Sequence, residues 1–290
     1  KSTLDGYNDI FECHLKETLR SETLGGLTTS AARGLLEQIA ADNELRKRTI
    51  ANIKHFLSGV YTFARNHGHF NGANPITGLK LKIKRRDTPT FAYSLDYQRQ
   101  MLAAVQLKPR AAMAIAGYAG LSRSELQGLR WEDRQDHELS VQRSVVEGVE
   151  KETKTEHRAA PVPIISELAI ILDDYWNSLG RPKQGWMFPA GRGKNSMSMS
   201  NLYRRHIIDD LRKHNIPWHG WHAFRRGLAT NLKEMGVDDM VIQRILRHGT
   251  AETTRKHYIK LLSPSVKKAM SRLDRKLKRD KHGTVKNDAA

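Results

Sequence analysis

At 290 residues the chain is long enough for two domains, each able to bury its own core. Lys and Arg number 49 against 31 Asp and Glu, and the self-repulsion of a formal charge of +18 is relieved when a polyanion lies on the surface, nucleic acid being the usual one. No apolar run reaches the length of a membrane-spanning helix and no signal-peptide pattern follows Lys1, while a single cysteine, Cys13, excludes an intramolecular disulfide and argues against a thiolate metal site.

The chain therefore reads as cytoplasmic and associated with DNA in the nucleoid, with binding to a membrane surface the weaker alternative. From Leu27 to about Gly78 the apolar spacing predicts helices. Ile50, Ile53, Leu57, Tyr61 and Ala64 step by three and four, and Gly68 follows as a stop. Arg46, Lys47, Arg48 and Lys54 lie on or just before this helix and Arg65 near its end. A solvated face and DNA contact both fit such a set; Arg46, Lys47 and Lys54 are the candidates for DNA contact.

The stretch NPITGLKLKIKRRDTPTF is broken by Pro75, Gly78 and Pro89, and it carries Lys80, Lys82, Lys84, Arg85 and Arg86. It reads as an extended cationic linker able to lie along a phosphate backbone, with a domain boundary near residue 87. Residues 1–87 are then a helical DNA-binding domain with a basic linker, and 88–290 a second domain ending in a charged tail.

In the second domain, residues 96–105 and 109–120 read as helices, the latter leading into SRSELQGLRWED. Short β-like runs over 138–148 and 158–164, separated by the polar EKETKTEH, predict a small antiparallel sheet with a hairpin. A helix then begins at Ser166, its candidate N-cap, with Leu168, Leu172, Tyr175 and Leu179 on one stripe and Gly180 and Pro182 as the stop. The rest is helical as far as the tail, whose end is expected to be disordered. The fold class is mainly α with a small antiparallel β-sheet or hairpin, in two domains, with no internal repeat.

Several chemistries are excluded by their missing motifs. GRGKNS is not a phosphate loop: the preceding glycine is lacking and Asn195 stands where Ser or Thr would hold magnesium. HGH at 67–69 is too short for a metal site, and neither H-E-x-x-H nor C-x-x-C occurs. No cofactor and no metal are expected. Trp218 and Trp221, flanking His219 and His222, read as packing residues.

What remains is WHAFRRGLATNL, residues 221–232. His222 and Arg225 stand at i and i+3 on one helix face, with Arg226 beside them, while Phe224, Leu228 and Leu232 form a separate buried stripe. Downstream, His248 ends an apolar-periodic helix, Gly249 caps it, and Tyr258 follows; Lys154 lies in the polar hairpin. A phosphodiester under attack needs its non-bridging oxygens held by Arg and His donors, a nucleophile such as a phenol, and an acid for the departing hydroxyl. The bland alternative is that all of these are ordinary surface and core residues of a basic protein.

Order and spacing speak for the first reading. HAFRRGLATNL followed by LRHGTAETTRKHY resembles the tyrosine recombinase (phage integrase) family, whose C-terminal boxes read H-x-x-R, then L-x-H with a TT pair, then a terminal Tyr. AGYAGLSRSELQGLRWED resembles its first box and KTEHRAAPVPI its β-hairpin segment. The resemblance implies that Tyr258 forms a 3′-phosphotyrosyl link to double-stranded DNA, that Arg225, His222 and His248 hold the scissile phosphate, and that Lys154 protonates the 5′-hydroxyl. Tyr258 lies ten residues after His248, one more than in much of the family, and His257 occupies the shorter spacing. The resemblance also implies a two-domain clamp around DNA and a homotetramer on paired sites; the sequence does not name any accessory DNA-bending proteins that take part. Lys1 falls near the start of such a clamp, leaving room for an arm-binding domain ahead of it.

One position departs from the pattern. The first box reads G-L-R-x-S-E-L in the family and GLSRSEL here, so Ser122 stands where the first catalytic arginine belongs. Arg123 is next door, about 100° round a helix, and is a candidate for DNA contact rather than a replacement. Loss of one transition-state donor costs on the order of 10²- to 10³-fold in rate, so the enzyme is expected to be impaired, through natural divergence or deliberate substitution. Two rival readings fit the same residues: a type IB topoisomerase, and a catalytically inactive relative that only binds DNA.

Overall fold

In the computed structural model the seam expected between residues 50 and 64 is a helix packed inward along one side. The structure describes residues 2–42, 45–81, 90–152, 161–191, 193–247 and 264–284. Lys82, Lys84, Arg85, Arg86, Lys154, His248 and Tyr258 lie outside the described residues. The chain packs as two compact units, Lys1–Pro89 and Thr90–Ala290.

The first unit holds α1 (Ser2–Ile10), which runs on through a π turn to Leu15, then α2 (Thr29–Asp42) and α3 (Lys47–Asn66). Ile50, Ile53, Leu57 and Tyr61 of α3 interlock with Ala32, Leu36 and Ile39 of α2, while Leu15, Ile76 and Leu79 close the core. The Tyr61 hydroxyl donates to the Leu24 carbonyl, so the one polar atom on the seam is satisfied. The sequence pattern started at Leu27 and missed α1, whose Leu4 and Tyr7 remain exposed, as does Phe11 in the π turn that follows.

The second unit is mainly helical around three small antiparallel pairings among the described residues. It begins with α4 (Leu95–Ala104), capped by Ser94, then α5 (Leu107–Ala114), whose continuation winds through a π turn at Ile115–Ala119. Gly120 follows in the left-handed region, φ 68°, and α6 (Arg123–Gly128) starts three residues later. Strand β1 (Glu138–Leu139) is followed by β2 (Arg143–Val146) and β3 (Val149–Glu152), then β4 (Val162–Pro163).

The hairpin differs from expectation. β2 pairs with β3 across a two-residue turn, Glu147–Gly148, both at positive φ as such a tight turn demands. Glu150, Lys151 and Glu152, expected in the polar separator, are therefore strand residues, and β4 pairs instead with β1. Gly128 allows β2 to lie against α6, because a Cβ there would meet the Arg143 carbonyl oxygen at 2.7 Å.

α7 (Ser166–Ser178) buries Leu168, Ile171, Leu172 and Tyr175. Two details of the expected helix are corrected. Ser166 is not the cap: its hydroxyl donates to Asp274. Leu179 is 43% exposed, because it lies past the helix end where the stripe no longer faces the core. Beyond a short pairing of β5 (Pro189–Ala190) with β6 (Asn195–Ser196) come α8 (Met199–His206) and α9 (Ile208–Lys213). These lead to α10 (Trp221–Glu234), α11 (Asp239–Ile245) and α12 (Pro264–Thr284). The charged tail is thus largely an amphipathic helix, with Val266, Ala269, Met270, Leu273 and Leu277 in the core and Lys267, Lys268, Arg272, Arg275, Lys276, Lys278 and Arg279 exposed. Residues 285–290 lie outside the described residues.

Tyr93 fastens α10 to the start of the unit. Its N–H donates to Ala223, its carbonyl accepts from Gln98 and Asn231, and its buried hydroxyl accepts from the His219 N–H at 2.6 Å. Gly227 permits this approach, since a Cβ would lie 2.3 Å from the Tyr93 carbonyl oxygen. Gly227→Ala is therefore expected to lower stability by about 1–3 kcal/mol in urea denaturation, although alanine is the better helix former; an unchanged or raised midpoint contradicts this packing.

Candidate active site

Arg225 is the centre of the site. On α10 it follows His222 by one turn, and Phe224, Leu228 and Leu232 anchor the helix in the core, as expected. The sequence placed the His222–Arg225 pair off the buried stripe, and here the two residues part company. His222 is exposed, whereas Arg225 is only 8% exposed. The Arg225 guanidinium donates through Nη1 to the Gly120 carbonyl at 2.6 Å and through Nη2 to the Leu246 carbonyl. Gly120 ends the segment before α6 and Leu246 ends α11, so one side chain joins three segments that are far apart in the chain. Carbonyl acceptors orient a guanidinium without neutralising it, and a carboxylate 3.9 Å away, that of Glu125, offsets part of its charge.

Ser122 serves α6 as its N-cap. Its hydroxyl accepts from the Glu125 N–H, and the Glu125 carboxylate accepts from the Ser122 N–H at 2.7 Å, a reciprocal capping box. The pattern S-x-x-E before an apolar residue was legible in GLSRSEL as a helix start, yet the sequence reading passed over Glu125. In the fold Glu125 is 2% exposed and holds two arginines: Arg247 Nη2 at 3.1 Å and Arg225 Nη1 at 3.9 Å from its Oε2. Burial pushes the Glu125 carboxyl up, but Arg247, the Ser122 N–H and hydroxyl, and Arg225 outweigh it and hold it below the ordinary range.

Arg247 is the other residue that the sequence reading missed. It is 4% exposed and sits at φ 54°, in the left-handed region where a long side chain costs about 1–3 kcal/mol. The residue stands directly after the α11 C-cap, Leu246, the helix-stop position at which the left-handed conformation is common and glycine is usual, and its side chain reaches Glu125 of α6.

Around this pair the outer face is cationic. Packing around the His222 ring lowers its pKa below the ordinary 6.5, and Arg226, Arg225 and Arg123 lower it further. The four side chains are thus close enough to share a field. Arg123 is exposed, and Arg226 is half-buried with its Nε donating to the Phe91 carbonyl. Trp218 and Trp221 pack on Tyr203 and Phe224, as expected of core residues. The hairpin is braced by Arg143, whose Nη1 lies 2.5 Å from Asp133, and β3 ends two residues before Lys154. Of the other expected site residues, His248, Tyr258 and Lys154 lie outside the described residues.

In the first unit Arg46 and Lys47 are exposed at the start of α3, where Lys54 is half-buried and donates to the Leu79 carbonyl at 2.6 Å. Among the described residues no cluster of His, Cys, Asp or Glu is arranged to hold a metal ion. No helix among them is long and apolar enough to cross a membrane.

A model of the phage integrase family matches residues 95–263. A tyrosine recombinase XerC-like protein of Caldanaerobacter subterraneus is 24% identical over 301 residues, spanning 91% of this chain and 76% of that protein. The tyrosine recombinase XerD of Rickettsia bellii is 24% identical over 284 residues, spanning 93% and 89%. Among solved structures, the integrase of the transposon Tn1549, in complex with transposon right end DNA, superposes with a TM-score of 0.74 at 18% identity over 94% of each chain.

Because the Glu125 pKa is depressed in the folded state, its contribution to stability is present above the ordinary value of 4.5 and is lost as pH falls through the folded value. Glu125→Gln is expected to cost about 3–5 kcal/mol at neutral pH, as for breaking a buried ion pair, and to flatten this part of the acid unfolding profile. Denaturant titrations from neutral pH to pH ~3 test it; a variant as stable as the parent, with the same acid midpoint, refutes the assignment.

Proposed function

The chain belongs to the phage integrase family of tyrosine recombinases, and on that premise we propose that it cuts and rejoins duplex DNA at specific sites through a 3′-phosphotyrosyl intermediate at Tyr258. The observation that carries the reading is the Arg225 guanidinium, oriented by the Gly120 and Leu246 carbonyls beside a cationic face of His222, Arg123 and Arg226. These groups suit one backbone phosphate, since oriented charged donors stabilise the charge that develops on its oxygens.

In the proposed reaction the Tyr258 hydroxyl gives up its proton to solvent and its oxygen forms a bond to phosphorus as the bond from phosphorus to the 5′-oxygen breaks. Lys154 gives the departing oxygen its proton, and Arg225, His222 and His248 hold the non-bridging oxygens. The phosphodiester energy is kept in the phosphotyrosine, so a 5′-hydroxyl can attack it and reseal the strand without ATP. Exchange between two sites calls for four copies on paired DNA. The exposed Arg46 and Lys47, with Lys82, Lys84, Arg85 and Arg86, are assigned to the phosphate backbone, so binding weakens steeply with salt. A second reading, an inactive relative that only occupies its site, is favoured by Ser122, whose hydroxyl is engaged in capping α6.

Duplexes selected by binding from a randomised pool, nicked near the bound centre and run on a denaturing gel, separate the two. The recombinase reading expects a covalent adduct that disappears in Tyr258→Phe. An adduct absent both from the parent and from Ser122→Arg overturns it in favour of the binder.

His222 also sets a pH dependence. Its pKa is lowered in the free protein and a phosphate anion beside it raises it, so binding takes up a proton. Affinity for the selected duplex should therefore rise as pH is lowered from about 8 toward 6, and His222→Gln should flatten that rise. An identical slope in the variant excludes His222 from the phosphate site.

A further inference from the structure

The site has one arginine fewer than the first-box pattern requires, and a buried arginine that the pattern does not assign. Three observations connect them. First, the same Glu125 oxygen that accepts the Ser122 N–H at 2.7 Å holds Arg247 Nη2 at 3.1 Å, so the Arg247 guanidinium lies one carboxylate oxygen away from the backbone of residue 122. Second, that oxygen also lies 3.9 Å from Arg225, so the two guanidiniums flank one acceptor. Their side chains are 9% and 2% exposed, so both guanidiniums are enclosed, Arg247 the more deeply. Third, Arg247 holds φ 54°, where glycine would be unstrained. A strained backbone kept under a buried, charged side chain points to a role for that side chain.

Resting on the phosphotyrosine reading above, we infer that Arg247 supplies, from the far end of α11, the phosphate-binding guanidinium that is missing at residue 122. Ser122 then has a purely structural part as the cap of α6. Glu125 orients Arg247 as carbonyls orient Arg225, and the scissile phosphate receives two guanidiniums, one from α10 and one from the turn after α11. No covalent step is added: Arg247 forms charge-assisted hydrogen bonds to a non-bridging oxygen, and these strengthen as negative charge builds on it.

The test compares the whole chain with Arg247→Gly, which suits the backbone conformation, and with Arg247→Lys, which keeps the charge but loses the planar fork. Each is measured on the selected nicked duplex with an ordinary scissile phosphate, and on the same duplex with a methylphosphonate there, which lacks the charge a guanidinium neutralises. Arg247→Gly is expected to slow single-turnover adduct formation on the phosphodiester on the order of 10²-fold, with Arg247→Lys in between, while the Kd for intact duplex stays within about threefold. On the methylphosphonate the loss should shrink to less than about tenfold, and Ser122→Arg added to Arg247→Gly should restore cleavage of the phosphodiester.

Equal losses on the two substrates, or an Arg247→Gly protein that cleaves like the parent, overturn the assignment and leave the phosphotyrosine reading standing. A parent that forms no adduct while Ser122→Arg does also overturns the assignment; no adduct from either protein removes that reading, and the role of Arg247 with it.

Discussion

A single guanidinium organises the second unit. Arg225 reaches from α10 to the carbonyls of Gly120 and Leu246, and so fixes the distance between the segment that opens α6 and the end of α11. Such a bond works only if the helix that presents the arginine is itself immobile. The packing of Phe224, Leu228 and Leu232 and the bonds from Tyr93 to the same helix supply that rigidity. Precision at the site is therefore inherited from the core, because a side chain can be no better placed than the backbone that carries it.

The electrostatics follow from that anchor. Buried arginine is expensive without acceptors, and here they include the Gly120 and Leu246 carbonyls for Arg225 and the Glu125 carboxylate, which faces both guanidiniums. Carbonyl dipoles satisfy the Arg225 guanidinium geometrically, and one carboxylate shared between two guanidiniums leaves a net positive charge. Arg123 and Arg226 share this face with Arg225, and their mutual repulsion favours an anion there and holds His222 neutral. The overall charge of +18 extends that preference over the whole chain, in keeping with a polyanionic partner.

Residue 122 shows how a position can serve the fold when it does not serve chemistry. Serine is among the best N-caps, and with Glu125 three residues on it closes both ends of the capping box. An arginine there could not make that cap, so the short helix α6 gains from the serine. The same box draws the Glu125 carboxylate toward the helix start, where it meets two guanidiniums from elsewhere in the chain. A local capping interaction and a long-range charge network thus share one side chain.

Much of this was legible in the residues. The three-and-four stepping of Ile50 to Ala64 and of Phe224 to Leu232 marked both buried seams, because helix periodicity acts within a few turns and needs no partner to be read. The order of the boxes pointed to the family and to His222 and Arg225. The hairpin register was not legible, since β-like runs do not say which strand takes which neighbour. Nor was the fate of the tail, where alternate packing against α7 and α11 decided that Leu273 and Leu277 would be buried. The roles of Glu125 and Arg247 belong wholly to the tertiary structure. Their meeting spans 122 positions, and a contact of that range is set by the packing of whole helices, about which neither residue's own neighbourhood carries information.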